Sequence, residues 1–320
     1  MTNLPNITLY QFTLTLEALE DMILPEYKGS MFRGAFGWAF REAVCVTKKS
    51  TCDNCPLQKQ CSYFKIFETE MPENDMWFLH GVKKIPHPFI LHPPNDYRRE
   101  YKKGDTLSVG LTIFGNSISL FPFFIYAFQK MGEKGVGYKR DKFRLMLVEN
   151  ISADNFRALV FNHQTGKLNL TFSQITNKDI LENKNIAAKE ATLTFITPFR
   201  LQEKGILISQ NKQITSEIIF RSIIRRYFLL SKLFCGDNLI DNNYLVQFED
   251  VKIDSSNLYF KDWNRYSNRH ERKMNLGGFI GHVKLTNLNK QANTFLLIGE
   301  QISIGKNTLF GLGKYVLQLD

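Results

Sequence analysis

The stretch GEQISIGKNTLFGLGKYVLQLD, Gly299–Asp320, decides how the rest of the chain is read. Gly305, Gly311 and Gly313 bracket Lys306, Thr308 and Phe310, and an alternating strand through Tyr315, Val316 and Leu317 follows. Closely spaced glycines permit positive φ and expose successive N–H groups to an anion. Lys306 and Lys314 add charge beside those amides, which suits a phosphate backbone. The loop is no Walker A motif: five residues separate Gly299 from Gly305, and Asn307 follows Lys306 where that motif needs Ser or Thr. Taken alone, the glycines equally describe a simple turn between a helix and a last strand.

Outward from the loop, a helical stretch spans roughly Thr294–Ile302, preceded by NRYSNRHERKMNLGGFIGHV, Asn264–Val283. Ala191–Arg200 alternates Leu193 and Phe195 with threonines and reads as a strand, and Thr215–Phe234 as a long helix. Residues near 257–263 and 278–286 supply two more strands. The first half repeats this order. Tyr10–Leu19 alternates, with Phe12, Leu14 and Leu16 on one face, and Ser30 is placed to cap a helix running to about Val44. The two glycines inside that helix predict close packing against a neighbour. Pro88–His92 and Leu107–Phe114 read as strands, Ser117–Met131 as a helix with Pro122 in its first turns, and Phe143–Val148 as a strand. Strand, helix, strand, strand, helix, strand is the ferredoxin-like order. The expected fold is α+β, with tandem ferredoxin-like (RRM-like) βαββαβ domains. Residues 1–150 form the first, with a cysteine insertion at 45–61. Residues 151–189 hold a hairpin, Phe156–Phe172 around Gly166, and a polar connector, Asn177–Lys189. Residues 190–320 form the second.

The pairing of RYSNR…MNLGGFIGHV with IGKNTLFGLGKY resembles the C-terminal domain of CRISPR-associated precursor-RNA-processing endoribonucleases of the RAMP superfamily. LPEYKGSMFRGAFGWAFREAV, Leu24–Val44, followed by spaced cysteines and FKIFET, is similar to the N-terminal part of that family. The resemblance covers most of the chain, with residues 150–190 least anchored. It implies RNA cleavage within the repeats of a CRISPR transcript, releasing guide RNAs for an interference complex. In such metal-independent cleavage the ribose 2′-OH attacks the adjacent phosphate, leaving a 2′,3′-cyclic phosphate and a 5′-OH. No catalytic metal is expected. The partners implied are repeat RNA and other subunits of a CRISPR interference complex.

Many members of that family carry a catalytic histidine on or near the first helix; here that helix holds Arg33 and Arg41 and no histidine. The candidate general base is therefore His270, set among Arg265, Tyr266, Arg269, Arg272 and Lys273, whose charges disfavour its imidazolium. The competing reading makes His270 an RNA or solvent contact on a basic strand end. His282 reads as structural, His87 and His92 as loop residues near a cleft, and His80 and His163 as peripheral. Should no histidine act, Tyr266 with Lys273 or Lys306 would stabilise the transition state by charge and position. Gly305, Lys306, Gly311 and Gly313 form the expected phosphate cradle, with Arg265, Arg269 and Arg272 as nearby contacts. On the long helix, Arg221, Arg225 and Lys232 share a stripe opposite Ile219, Ile223, Leu230 and Phe234. That stripe reads either as an RNA face or as ordinary solvated surface. Tyr266 and Phe310 are the aromatics placed to stack on bases.

Cys45, Cys52, Cys55 and Cys61 are spaced C-x6-C-x2-C-x5-C, which suits a structural, tetrahedral zinc site; an iron–sulfur cluster is a weaker match to the same ligands. Four clustered cysteines of five point to metal binding in a reducing cytoplasm rather than to disulfides. The 320 residues are enough for one large or two medium domains. A net charge of +10 favours anionic partners, and 27 Phe supply both core and rings. The N-terminus lacks a signal-peptide pattern, and no apolar run approaches a membrane span, so a cytoplasmic protein with no membrane partner is expected. Two rivals share these features. One is a non-catalytic RNA-binding subunit of a CRISPR ribonucleoprotein, favoured by the missing first-helix histidine. The other is a nucleic-acid-binding regulator that makes contact through the cysteine cluster.

Overall fold

Alternation in Thr8–Ala18 turns Phe12, Leu14, Leu16 and Ala18 into the interior, and this strand is the middle of the first sheet. The computed structural model describes residues 4–49, 51–69, 85–94, 96–203, 205–236, 248–262, 264–267 and 272–320. Thr8–Ala18 pairs antiparallel with Thr106–Phe114 on one side (Leu14 opposite Val109) and Phe143–Ile151 on the other (Leu14 opposite Val148). Phe89–His92 adds to the outside of Thr106–Phe114. Helices Gly29–Val44 and Phe121–Lys134 supply the crossovers, so the four strands stand in the spatial order second, third, first, fourth, the ferredoxin-like arrangement.

Phe36 is the hub of this unit. Its ring centroid lies 5.2–6.1 Å from those of Phe40, Phe67, Phe89, Phe124 and Phe128. Each such ring removed from water stabilises by about 1.5–3 kcal/mol. Gly37, on the same helix, has Phe67 in van der Waals contact with the place a Cβ would take, as close packing predicts; Gly34 has open space there instead. The helix begins at Gly29 with Lys28, not Ser30, at its N-cap. Lys28 is wholly buried, and its ammonium bonds the exposed Asp96 at 3.2 Å, so a buried lysine with a surface carboxylate partner, and not a serine cap, stands at the start. The second helix starts at Phe121 rather than Ser117, because a 3₁₀ turn over Gly115–Leu120 precedes Pro122.

The hairpin expected between the domains contributes a fifth strand to the first sheet: Arg157–Asn162 pairs with Phe143–Ile151, Glu149 opposite Leu159. The first compact unit accordingly runs to Ile175, and residues from Thr176 belong to the second. Residues 4–7 join the second unit as well. Tyr227 donates to the Pro5 carbonyl, Ser231 to that of Asn6 at 2.5 Å, and the Ile7 amide donates to Asn177 at 3.0 Å.

The second unit repeats the order. Glu190–Phe199 is the central strand, flanked antiparallel by Gly278–Thr286 (Leu193 opposite Val283) and Tyr315–Leu319 (Leu193 opposite Leu317). Lys252–Lys261 lies outside Gly278–Thr286. Helix Ser216–Phe234 is capped by Thr215, and helix Lys290–Ile302 by Asn289, which starts it one turn earlier than the sequence suggested. Both chains of evidence, element order and strand order, make this an α+β protein of tandem ferredoxin-like domains.

The glycine loop closes this unit. Ile304 donates to the Gly313 carbonyl at 2.9 Å, Gly313 to Pro198 at 2.9 Å, Lys306 to Arg200 at 2.8 Å and Gly311 to Thr308 at 2.8 Å. Gly313 has φ +74°, and a Cβ there would overlap the Ile304 carbonyl oxygen. Gly313→Ala should therefore destabilise by at least about 3 kcal/mol in urea unfolding, as a strained φ and a steric clash combine. Gly166→Ala, also at positive φ but facing open space, should cost only about 1–2 kcal/mol. Equal losses at the two positions would contradict this role for Gly313.

Candidate nucleic-acid interface

Gly305 donates its amide to Ser222 Oγ at 2.9 Å, which ties the loop to the long helix between Arg221 and Arg225. That bond brings Lys306 beside Arg225. Burial, and then the charge of Arg225, holds the Lys306 ammonium below its usual range. Burial, and then the charge of Arg221, does the same to the Arg225 guanidinium. Three cations from a helix and a loop thus repel one another on one surface. Arg221 is an exposed residue paired with Glu217 one turn earlier. Lys306 is an exposed residue, while the surroundings of its ammonium reduce its hydration. An anion brought here relieves the repulsion and replaces the lost water.

The backbone plays a different part from the one expected. The amides of Gly305, Lys306, Gly311 and Gly313 all donate within the protein, to Ser222, Arg200, Thr308 and Pro198. They are not a nest of outward N–H groups. The glycines instead let the loop lie close: a Cβ on Gly305 would stand 2.5 Å from the Arg200 carbonyl oxygen. What the loop presents to an anion is the Lys306 side chain.

Two further arginines bear on this surface that sequence reading passed over. Arg200 ends the central strand and donates to the Gly277 carbonyl at 2.6 Å; burial lowers its guanidinium, offset in part by Asp262. Arg226 is buried inside the apolar face of the long helix and bonds the Ile302 carbonyl at 2.8 Å, closing the end of helix Lys290–Ile302. Burial pushes it down to about 9, so it stays charged at neutral pH. The legible signal was a charge among Ile223, Leu229 and Leu230. Lys232, on the expected stripe, is half-buried.

Asn264–Ser267 and Arg272–Asn275 form an antiparallel pair, Arg265 opposite Met274, Tyr266 opposite Lys273 and Ser267 opposite Arg272. Arg269 and His270 lie outside the described residues, as does His80. Phe310 is half-buried in a 3₁₀ turn of the loop. Of the other histidines, His87 bonds the Ile66 carbonyl at 3.0 Å and His92 bonds Thr112 Oγ1 at 3.0 Å, both inside the first unit. His163 is exposed, and so is His282, on the strand Gly278–Thr286, where a structural role was expected. On the first helix, Arg33 lies over the Phe67 ring and Arg41 over the Tyr63 ring, at 5.3 and 5.6 Å from the ring centroids.

Cys45, Cys52, Cys55 and Cys61 are all half-buried around one cavity, and none is in a disulfide. Among the described residues no three His, Cys, Asp or Glu side chains stand converged as a metal-ligand set. The donor chemistry suits a thiolate-bound metal, and the sulfurs ring the cavity without meeting at its centre. Among the described residues no helix is long and apolar enough to cross a membrane.

Residues 193–315 match the family model of the CRISPR-associated endoribonuclease Cas6, and residues 6–173, over half the chain, match a family model described as an N-terminal domain. An uncharacterized protein of Archaeoglobus fulgidus is 23% identical over 303 residues, covering 91% of this chain and 92% of its own. Thermus thermophilus Cas6 shares the fold at a TM-score of 0.55 and 15% identity, over 98% of this chain and 99% of that one. A Cas6 product complex gives 0.55 at 17% identity, over 97% and 99%. A partial Cas6-RT-Cas1–Cas2 complex gives 0.56 at 13% identity, over 98% of this chain and 46% of that one. Two ferredoxin-like units and these family matches define a CRISPR-associated RNA-processing protein. Within that class, residues 6–173 place the chain in the family of that N-terminal-domain model, and its second unit carries a domain of the Cas6 type.

Lys306 supplies a test of the cation surface by itself. Its folded pKa is below its unfolded one, so at pH values under both it is protonated in both states and the folded state bears the full penalty. Stability should fall as pH drops through the range just below the ordinary lysine value, and removing the charge should lift that penalty at neutral pH. Lys306→Met is expected to melt at or above the parent temperature and to bind RNA less tightly. A variant that melts lower while binding RNA unchanged would contradict this placement.

Proposed function

We propose that this protein cleaves repeat RNA in a precursor CRISPR transcript, without a catalytic metal, by attack of a ribose 2′-OH on the neighbouring phosphate. The observation that carries the reading is the Arg221–Arg225–Lys306 group, built by the part of the chain that matches the Cas6 model. A base takes the 2′-OH proton, the 2′ oxygen bonds to phosphorus, the P–O5′ bond breaks, and an acid protonates O5′. The products are a 2′,3′-cyclic phosphate and a 5′-OH. Arg221, Arg225 and Lys306 hold phosphates and stabilise their charge, and Arg265, Arg269 and Arg272, close together in sequence, are assigned as further phosphate contacts.

His270 is the base in this reading, since His87 and His92 are committed to bonds in the first unit and the first helix has no histidine. Tyr266 and Lys273, opposite one another in the antiparallel pair, are assigned to donate protons or offset charge. Solved Cas6 proteins of this fold include product complexes and a substrate mimic complex, which supports RNA as the partner. The Cas6-RT-Cas1–Cas2 assembly supports further CRISPR proteins as partners. The second reading, an RNA-binding subunit that does not cleave, is favoured by one observation: Arg33 and Arg41 are the only titratable groups besides Glu42 on the first helix, and both arginines lie against rings.

The test is cleavage of labelled repeat RNA from the array of the source genome, with EDTA present and the product ends analysed. A single cut ending in a 2′,3′-cyclic phosphate, abolished by a 2′-deoxy substitution at the cut, is expected. His270→Ala should then slow it by at least about 10²-fold with RNA affinity little changed. Tight binding with no cut at any pH would overturn cleavage in favour of the binding subunit.

A further inference from the structure

The segment Cys45–Cys61 joins helix Gly29–Val44 to the short helix Ser62–Phe67 and folds without an apolar core. Its large apolar side chains face water, Val46 at 79% and Leu57 at 41% exposure. The side chains turned inward are Cys45, Thr47, Cys52, Cys55, Gln58 and Cys61. All six line one cavity of about 430 Å³, together with Val46 and Leu57 of the segment and with Val44, Tyr63, Phe64 and Phe123 from its flanks, so the half-buried side chains of the segment itself are mostly sulfur-bearing. A loop that buries none of its own large apolar side chains needs another source of cohesion to offset its conformational entropy.

Local backbone geometry is organised about the same sulfurs. The Lys48 amide, on a residue at φ +55°, and Thr47 Oγ1 both hydrogen-bond Cys45. Thr47 Oγ1 stands 3.8 Å from Cys45 Sγ and 3.8 Å from Cys55 Sγ, so it lies between two of the four thiols. Asn54 at φ +52° bends the C-x-x-C into a turn in which the Cys55 amide donates to the Cys52 carbonyl at 3.3 Å. The Cys61 amide in turn donates to Gln58 at 3.3 Å, ending the segment in a second turn that again presents a cysteine. Such a turn places two thiols on one side of the chain, as tetrahedral thiolate sites require.

We propose that Cys45, Cys52, Cys55 and Cys61 bind one zinc ion in a closed tetrahedral thiolate site that holds this segment folded. The thiols ring the cavity, and a cysteine has a single side-chain torsion to turn before its sulfur reaches a common centre. Four protein ligands leave no position for water or substrate, which makes the site structural, and the free energy of binding becomes free energy of folding for the segment. The inference is independent of what the second unit does to RNA.

The test uses the whole protein, purified under reducing conditions from zinc-supplemented medium. Elemental analysis should find about one zinc per chain. Titration with a mercurial and a zinc-sensitive dye should release that zinc as four thiols react, and Cys235 should react without releasing metal. Exchange with Co²⁺ should give the charge-transfer and ligand-field bands of tetrahedral thiolate cobalt, lost in Cys55→Ser. Because that variant is at risk of unfolding, release from the parent protein is the deciding measurement. Metal-free protein with freely reactive thiols, disulfides by mass analysis, or the visible absorption of an iron–sulfur cluster would each overturn the assignment.

Discussion

Everything at the proposed RNA surface depends on the backbone bonds that fold residues 304–314 onto the end of strand Glu190–Phe199. The Gly313 amide reaches Pro198, that of Lys306 reaches Arg200, and that of Gly305 reaches Ser222 on the long helix. These contacts need main chains closer together than a Cβ permits, and so they need glycine. Their consequence is electrostatic: a lysine from the loop is set beside an arginine from the helix, and burial, then a neighbouring arginine charge, lowers the proton affinity of each. The loop is thus a rigid mount for charge. Phosphate oxygens at the proposed site would relieve the repulsion held there in the free protein, the usual stability cost of a preformed binding site.

Much of this was legible in the sequence for a physical reason. Period-two alternation in Thr8–Ala18 and Glu190–Phe199 marks strands with one face buried, and both proved to be the central strands of their sheets. Each then fixes the register of two neighbours, so the element order was enough to give the topology. Glycine spacing located the loop, yet the same glycines suit an anion nest and a close-packed turn. Only the hydrogen-bond partners of their amides separate the two. Arg226 was missed because a charge on an apolar helix face reads as a break in the pattern, and its partner, the Ile302 carbonyl, is 76 residues away. Ser30 reads as a cap for a similar reason: the N-cap is Lys28, which makes no side-chain cap and instead pairs with Asp96, far from it in sequence.

The two units divide their labour differently although they share one topology. In the first, Phe36 and its ring neighbours make a dense aromatic core, and the arginines of its first helix lie over aromatic rings. In the second, the corresponding long helix carries its arginines toward the glycine loop. A common scaffold has been given charge on one copy, and the other copy carries the cysteine segment. The fold alone does not dictate either use, as expected when function resides in the site.

The most direct test of the central claim is the salt dependence of binding to repeat RNA. Each phosphate contact to single-stranded RNA contributes about 0.7 to the slope of log affinity against log salt. If Arg225 and Lys306 hold phosphates, an Arg225→Gln, Lys306→Met double variant should bind with a slope shallower than the parent's by about 1.4. An unchanged slope, with the variant folded, would contradict the account and place the RNA on another surface.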